Sequence, residues 1–358
     1  MATAGTETSA RTREGTTRLR VAVLSGGRSS EHEVSLSSGA AVREGLESVG
    51  HEVVDVRIGR NGRWHRAGEQ EPLSLTPGAG LLDADVVFPV LHGRFGEDGT
   101  VQGLLEMLDV AYVGAGVASS ALCMDKVLFK ELMTAAGTVP QVAYIDVGAS
   151  RFVGPDRQAL LEQVMRLGLP VFVKPAHLGS SVGIVKVTAE HELIGAIESA
   201  FAYDARVIVE AAAAGLEVEC GVLGLTASER GPAGTAAQVS LPGEIAYESD
   251  FYDFEAKYEP GGMDLVIPAR ISETATERVR ELALQAFAYA GCEGLARVDF
   301  FVEGERVLLN ELNTMPGFTP TSVYAKLMAA SGVTYPEVVD RLCRLGIERF
   351  AQQGARAF

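Results

Sequence analysis

Residues 177–183 read HLGSSVG, and Gly179, Ser180, Ser181 and Gly183 leave several backbone N–H groups and two hydroxyls unshielded by bulky side chains. Loops of that make-up cradle phosphate. Both flanks, VFVKP and VGIVKV, read as strands, whereas a dinucleotide fingerprint or a Walker loop runs from strand into helix. An ordinary glycine hairpin has the same local look. Lys174, five residues ahead of Gly179, adds a point charge suited to nucleotide phosphates, or else is a strand lysine reaching for solvent. A second cluster lies in ARVDFFV and RVLLNELN, where alternation puts Arg297 with Asp299 on one strand face and Glu311 with Asn313 on another. A three-residue connection at 304–306 sets Asp299 opposite Glu311 with Asn313 one pleat further on; a two-residue connection spoils that register. Two carboxylates and an amide oxygen on an otherwise apolar face repel unless a cation sits among them. An all-oxygen set suits Mg²⁺, whose remaining positions go to water and phosphate; the alternative is a solvated acidic edge.

Residues 26–33 (GGRSSEHE) join the first strand to a helix, whose N-terminus attracts carboxylate or phosphate. Glu31 there holds an ammonium, so that an amino-acid zwitterion satisfies both ends of the site, or it simply caps the helix. His92, in LHGRFGEDGTVQG at 91–103, follows a strand and precedes a helix start, a usual place for a site loop, although a lone histidine is more often a structural hydrogen-bonder.

The elements that position these groups follow from periodicity. A strand at 19–24, a break at Gly26 and Gly27, a helix at 38–49 and a strand at 52–56 make a βαβ opening, and 85–89 is another buried strand. Residues 19–120 therefore form an N-terminal α/β domain with a small parallel sheet. A helix at 119–136 leads to strands at 170–174, 182–187 and 206–210, a small antiparallel sheet within a unit spanning 121–213. The last unit, 214–358, holds further strands, a polar aromatic insert at 248–262, a helix at 277–290, and the strands at 296–302 and 306–312. Residues 1–18 show no periodicity and read as a flexible tail.

A chain of 358 residues with 47% hydrophobic and 22% charged residues is globular and has two or three domains. A net charge of -16 offers no basic field for nucleic acid or an anionic membrane. The absence of an 18-residue apolar run and of an apolar middle in the first 20 residues points to a cytoplasmic protein. Cys123, Cys220, Cys292 and Cys343 are too scattered for zinc or a disulfide framework and read as structural thiols.

Seven segments taken in chain order, GGRSSEHEVSLSSG, LHGRFGEDG with TVQG at 100–103, MDK at 124–126, VKPAHLGSSVG, FYDFEAKY at 251–258, ARVDFF and NELNTMPGFTPTS, resemble one family, the D-alanine:D-alanine ligases of the ATP-grasp superfamily. The likeness runs from Val21 to about Gly332. It implies an α/β (α+β) chain with a three-domain ATP-grasp architecture, an N-terminal βαβ preATP-grasp domain, ATP gripped between the central and C-terminal domains, and a lid at 248–262. It further implies ATP, two Mg²⁺ ions with Mn²⁺ as a possible substitute, two D-alanine substrates, a homodimer, and cytoplasmic synthesis of the peptidoglycan dipeptide through an acyl phosphate. On this resemblance Lys126 and Lys174 contact ATP phosphates with Ser180 and Ser181, while Glu210 and Glu217 match adenine-hinge and ribose contacts. Ala211 to Ala214 depart from the polar-aromatic pair that many relatives carry after the hinge glutamate. Asp299, Glu311 and Asn313 match the metal ligands, Glu311 bridging two ions, and Arg297 with the backbone N–H of Gly317 matches the oxyanion-stabilising groups. Glu31, Ser180 and Tyr258 resemble the trio that closes over the first D-alanine; Lys257, Ser322 and His92 belong to the substrate region. Relatives that make D-alanyl-D-lactate tend to carry Phe or His where this chain has Tyr258, so a peptide product is expected. A noncatalytic regulator on the same fold would lack part of the metal set or Arg297, and an oxidoreductase would need GxGxxG after the first strand.

Overall fold

The computed structural model describes residues 18–225, 237–247 and 263–355. Residues 1–17 of the tail expected at 1–18 and the insert at 248–262, with Lys257 and Tyr258, lie outside the described residues.

The chain opens with β1 (Arg20–Gly26), α1 (His32–Ser48), β2 (Glu52–Ile58), β3 (Trp64–Arg66) and β4 (Val86–Pro89). They form a sheet of order β3-β2-β1-β4, in which β1 runs parallel to β2 and β4. Val21, Ala22, Val23 and Leu24 are all buried, as a strand covered on both faces requires. Gly26 ends β1 at φ +92°, and a Cβ there would lie 2.4 Å from the Ile58 carbonyl oxygen, so no other residue fits. Helix α1 starts at His32 rather than near Ser38. Its first turns bury small residues, Ser35, Ser38 and Gly39, which carry no hydrophobic period for the sequence to display.

After α2 (Thr100–Met107), the single helix expected at 119–136 is two, α3 (Val117–Met124) and α4 (Lys126–Ala136). Asp125 breaks them apart: its backbone is extended, and its Oδ1 accepts the N–H groups of Val127 at 2.9 Å and Leu128 at 3.0 Å. That is an N-cap, and it makes Lys126 the first residue of α4.

The second sheet, of order β5-β8-β6-β7, is antiparallel throughout: β5 (Tyr144–Gly148), β6 (Val171–Pro175), β7 (Val185–Val187) and β8 (Arg206–Ala211). Helices α5 (Ala149–Phe152), α6 (Arg157–Met165) and α7 (Leu193–Phe201) pack on it through Phe152, Leu160 and Ile197. Strand β7 begins at Val185, three residues later than expected, because Ser180 and Ser181 take left-handed backbone conformations, φ 51° and 58°, and the chain turns on through Ile184.

The third sheet holds β9 (Leu216–Gly224), β10 (Gln238–Val239), β11 (Gly243–Tyr247), β12 (Met263–Val266), β13 (Gly294–Glu303) and β14 (Arg306–Asn313), in the order β12-β11-β9-β13-β14 with β10 paired to β9. Helix α8 (Glu273–Tyr289) covers one face, with Val279, Leu282 and Phe287 against Val298 and Phe300. It starts earlier than the expected 277, because Ser272 accepts the Ala275 N–H at 3.1 Å and caps it. On the other side, α9 (Val323–Ala330) and α10 (Tyr335–Gly354) share one core with the first sheet, joining Val21, Val42 and Phe88 to Leu295, Phe318, Tyr324 and Leu342.

The β13–β14 connection is two residues, Gly304 and Glu305, since Glu303 pairs with Arg306. The register needed at the site is nevertheless present. A bulge at Asn310 shifts the pairing from Phe300–Leu309 to Asp299–Glu311, so Glu311 returns to the face of Asp299. All four cysteines are free thiols. Among the described residues no helix is long and apolar enough to cross a membrane.

Candidate active site

A cavity of about 500 Å³ opens where the three sheets meet. Glu31, Ser38, His92 and Glu97 line it from the N-terminal elements, Lys126 and Ser180 from the middle, and Arg297, Glu311, Asn313, Gly317 and Ser322 from the C-terminal sheet and the segment after it.

Glu31 makes no side-chain cap bond to α1. Its Oε1 instead accepts the Ser180 hydroxyl across the cavity. Gly93, at φ +72°, keeps that carboxylate in place: a Cβ there would lie 2.5 Å from Glu31 Oε2. His92 is buried, with Nδ1 3.1 Å from the Met315 carbonyl and Nε2 3.0 Å from the Ser38 hydroxyl. Burial holds its ring below the usual histidine range, which fits a neutral imidazole that donates on one side and accepts on the other. Glu97 accepts the Gly93 N–H at 2.5 Å, and burial, with the charge of Glu31 beside it, pushes its carboxyl up to about 8.

Across β9, β13 and β14 the register sets Glu219, Asp299 and Glu311 in one row, with Arg297 opposite Asn313. Arg297 donates from Nε and Nη2 to the two oxygens of Asp299, each at 2.8 Å, and its Nε lies 2.9 Å from Glu219 Oε2. Burial works against its charge, but Asp299 and Glu219 hold the guanidinium well above its ordinary range. Asn313 donates to Asp299 at 3.0 Å. Asp299 thus sits behind Arg297, while Glu311 and Asn313 face the cavity. Among the described residues no group of three His, Cys, Asp or Glu side chains is arranged to hold a metal ion. The expected set offers two carboxylates and an amide oxygen, a donor chemistry that fits a hard divalent ion, with Asp299 bonded to Arg297 and to the Asn313 amide nitrogen.

Lys126 donates from Nζ to the Leu178 carbonyl at 2.7 Å and lies 3.9 Å from Glu311. Lys174 lies 2.5 Å from Glu210, whose other oxygen is 2.9 Å from Lys130. Burial opposes the charges of Glu210 and Lys174, yet Lys130 and Lys174 hold the Glu210 carboxyl at about 2, and Glu210 with Glu311 and Glu217 holds Lys174 above the lysine range. Ser322 precedes α9, and its hydroxyl accepts the Thr319 N–H at 3.0 Å, 3.4 Å from where a Cβ on Gly317 would stand.

Two family models match the chain, "D-ala D-ala ligase N-terminus" over residues 20–115 and "D-ala D-ala ligase C-terminus" over residues 132–344. The chain belongs to the D-alanine–D-alanine ligase family. D-alanine–D-alanine ligases of Mycobacterium ulcerans and Frankia casuarinae are 42% and 43% identical to it, over 93% and 92% of this chain and 96% and 97% of theirs. The solved D-alanine–D-alanine ligase of Coxiella burnetii superposes with a TM-score of 0.80 at 35% identity, covering 94% of this chain and 96% of that one. The VanG D-Ala:D-Ser ligase of Enterococcus faecalis gives 0.79 at 34%, covering 92% and 100%. The fold is the ATP-grasp fold of this family, whose members are ATP-dependent ligases.

Sequence reasoning missed three residues in or beside the cavity of this family member. Glu219 alternates with Glu217 in LEVECG and shares its face, a legible signal. Lys130 follows Val127 and precedes Met133 at helical spacing on the buried face of α4, where a lysine is not expected without a partner. Glu97 had no signal beyond its place in the loop after His92.

Proposed function

We propose that the chain joins two D-alanine molecules into D-alanyl-D-alanine, using ATP, for peptidoglycan precursor synthesis. The observation that carries the reading is the convergence on one cavity of an ammonium-binding carboxylate, Glu31, a phosphate-type loop with Lys126, and the Arg297–Asp299–Glu311–Asn313 set. The family relationship supports it.

Glu31 would pair with the ammonium of the first D-alanine, while Ser180, bonded to Glu31, ties the loop over it. The carboxylate of that molecule attacks the γ-phosphorus of ATP, ADP leaves, and an acyl phosphate forms. The neutral amine of the second D-alanine attacks the carbonyl carbon, phosphate departs, and the amine's proton is lost. Lys126 and Lys174, with the N–H groups and hydroxyls of Ser180 and Ser181, hold the phosphates; Arg297 and the Gly317 N–H face the oxygen that gains charge. Mg²⁺ held by Asp299, Glu311 and Asn313 would supply charge at the phosphates, and Mn²⁺ the same. Glu210 and Glu217 belong to the adenosine end of the site; the Glu210 side chain, occupied by two lysines, leaves backbone groups for a base. Lys257, Tyr258 and Ser322 complete the site on the family pattern, as do a lid at 248–262, the units at 19–120, 121–213 and 214–358, a pair of copies and a cytoplasmic location. An acyl phosphate hydrolyses in water, so a closing lid is part of the chemistry.

Glu311→Gln tests the metal assignment. The expected result is a loss of turnover of about two orders of magnitude or more with an unchanged thermal melt, because the charge of one carboxylate is removed from phosphoryl transfer. A near-normal rate at saturating Mg²⁺ would refute it.

A further inference from the structure

Asp125 and Lys126 grip three consecutive residues, Ala176, His177 and Leu178, where β6 passes into the 177–183 loop. The Lys126 N–H donates to the Ala176 carbonyl at 3.1 Å, the ring of His177 meets Asp125, and Lys126 Nζ donates to the Leu178 carbonyl. His177 Nε2 lies 3.1 Å from Asp125 Oδ2, and its Nδ1 lies 2.7 Å from Asp204 Oδ2, which also accepts the His177 N–H at 2.8 Å. Ionised carboxylates only accept, and a neutral imidazole has one N–H to give. Satisfying both oxygens requires a proton on each ring nitrogen.

We propose that His177, held as an imidazolium between Asp125 and Asp204, is a positioning residue that ties the phosphate loop to the N-terminus of α4 and so sets Lys126 and Ser180 for the nucleotide. The proposal rests on the ATP-dependent reading above.

Two features make the tether consequential. Asp125 uses its other oxygen to cap α4, so one carboxylate links the helix that begins with Lys126 to the loop. The loop then passes at once into the left-handed Ser180 and Ser181, a conformation that costs energy and persists only where the surroundings enforce it. The charged groups meeting the ring are Asp125 from the α3–α4 junction and Asp204 from the turn before β8, and Arg206 on β8 lies 3.3 Å from the same Asp125 oxygen. Arg206 is itself compensated by Asp146 at 2.9 Å. The hydrogen bond to Asp125, with Asp204 adding to it against partial burial, raises the ring to about 9. A raised histidine contributes fully below its ordinary value of 6.5, and the contribution is lost as pH climbs through 9. The ring is 47% exposed, which keeps the effect moderate.

The test uses the full-length protein. In a ¹⁵N-detected ring titration of the wild type, His177 stays doubly protonated above about pH 8; titration near its ordinary value would overturn the proposal. His177→Asn raises KM for ATP about fivefold at pH 7.5 and changes kcat by less than about twofold, while His177→Arg, which keeps a cation, stays within about twofold of wild type. The wild-type KM for ATP rises between about pH 8 and 9.5, and His177→Arg lacks that rise. An unchanged KM in His177→Asn, or no difference between the two pH profiles, sinks the tether. Failure of the wild type to bind ATP at any pH refutes the ligase reading instead.

Discussion

Glu210 shows what single buried charges do here. It lies between Lys130 and Lys174 with almost no exposure, and the ion pairs compensate the cost of removing all three from water. Glu210→Gln leaves two buried cations sharing one amide, and we expect a loss of about 3 to 5 kcal/mol by urea denaturation at pH 7. A depressed carboxyl contributes stability that is present above its unfolded value near 4.5 and is lost as pH falls toward 2. The wild type should therefore lose stability across that window while Glu210→Gln loses less; parallel acid profiles would contradict the pairing. Residue types announced Lys174 and the family resemblance Glu210, but neither showed that they touch, because the contact crosses neighbouring strands β6 and β8. Lys130 was invisible for a different reason: its position belongs to the apolar face of α4, and only the partner on another element explains a lysine there.

Among the elements, the parallel pairing of β1 with β2 and β4, the antiparallel strands β6, β7 and β8 and the β13–β14 hairpin were legible in β-branched runs and alternation, whereas β3, which runs antiparallel to β2 and makes the first sheet mixed, and β5 were not. What was not legible sits at junctions. Asp125 interrupts a stretch whose helical period is otherwise continuous, and a cap is recognised only once the chain direction changes. The hairpin carries a shorter turn than the site register demands and restores it with one extra residue at Asn310, a compensation that no alternation count reveals because Phe300 and Leu309 remain core residues on either side. The cap has a measurable weight. Asp125→Ala removes the oxygen that accepts two helix N–H groups together with the contacts to His177 and Arg206, and should lower stability by about 2 kcal/mol. A urea midpoint equivalent to a loss below about 0.5 kcal/mol would show that α4 does not depend on it.

Over the whole molecule, the first sheet and the last two helices share a core although they lie at opposite ends of the chain. Val21 and Phe88 pack in the same cluster as Phe318, Val339 and Leu342, and His51 reaches Asp340 at 2.7 Å. Contacts separated by some 290 positions leave no periodic trace, so the sequence reads as successive units where the structure has a floor common to the first and last. That floor matters for chemistry. It brings His92 to the Met315 carbonyl and sets Glu31 on the wall of the cavity that Gly317 also lines, so both sides of that cavity belong to one packed body. What this body should make is D-alanyl-D-alanine. The direct measurement is to incubate the protein with ATP, Mg²⁺ and equal D-alanine, D-serine and D-lactate at neutral pH and to quantify ADP, phosphate and every dimeric product by chromatography. The expected result is one ADP and one phosphate per D-alanyl-D-alanine, with that dipeptide in large excess; ADP without dipeptide, or chiefly D-alanyl-D-serine or D-alanyl-D-lactate, would rule out a D-alanine-specific ligase.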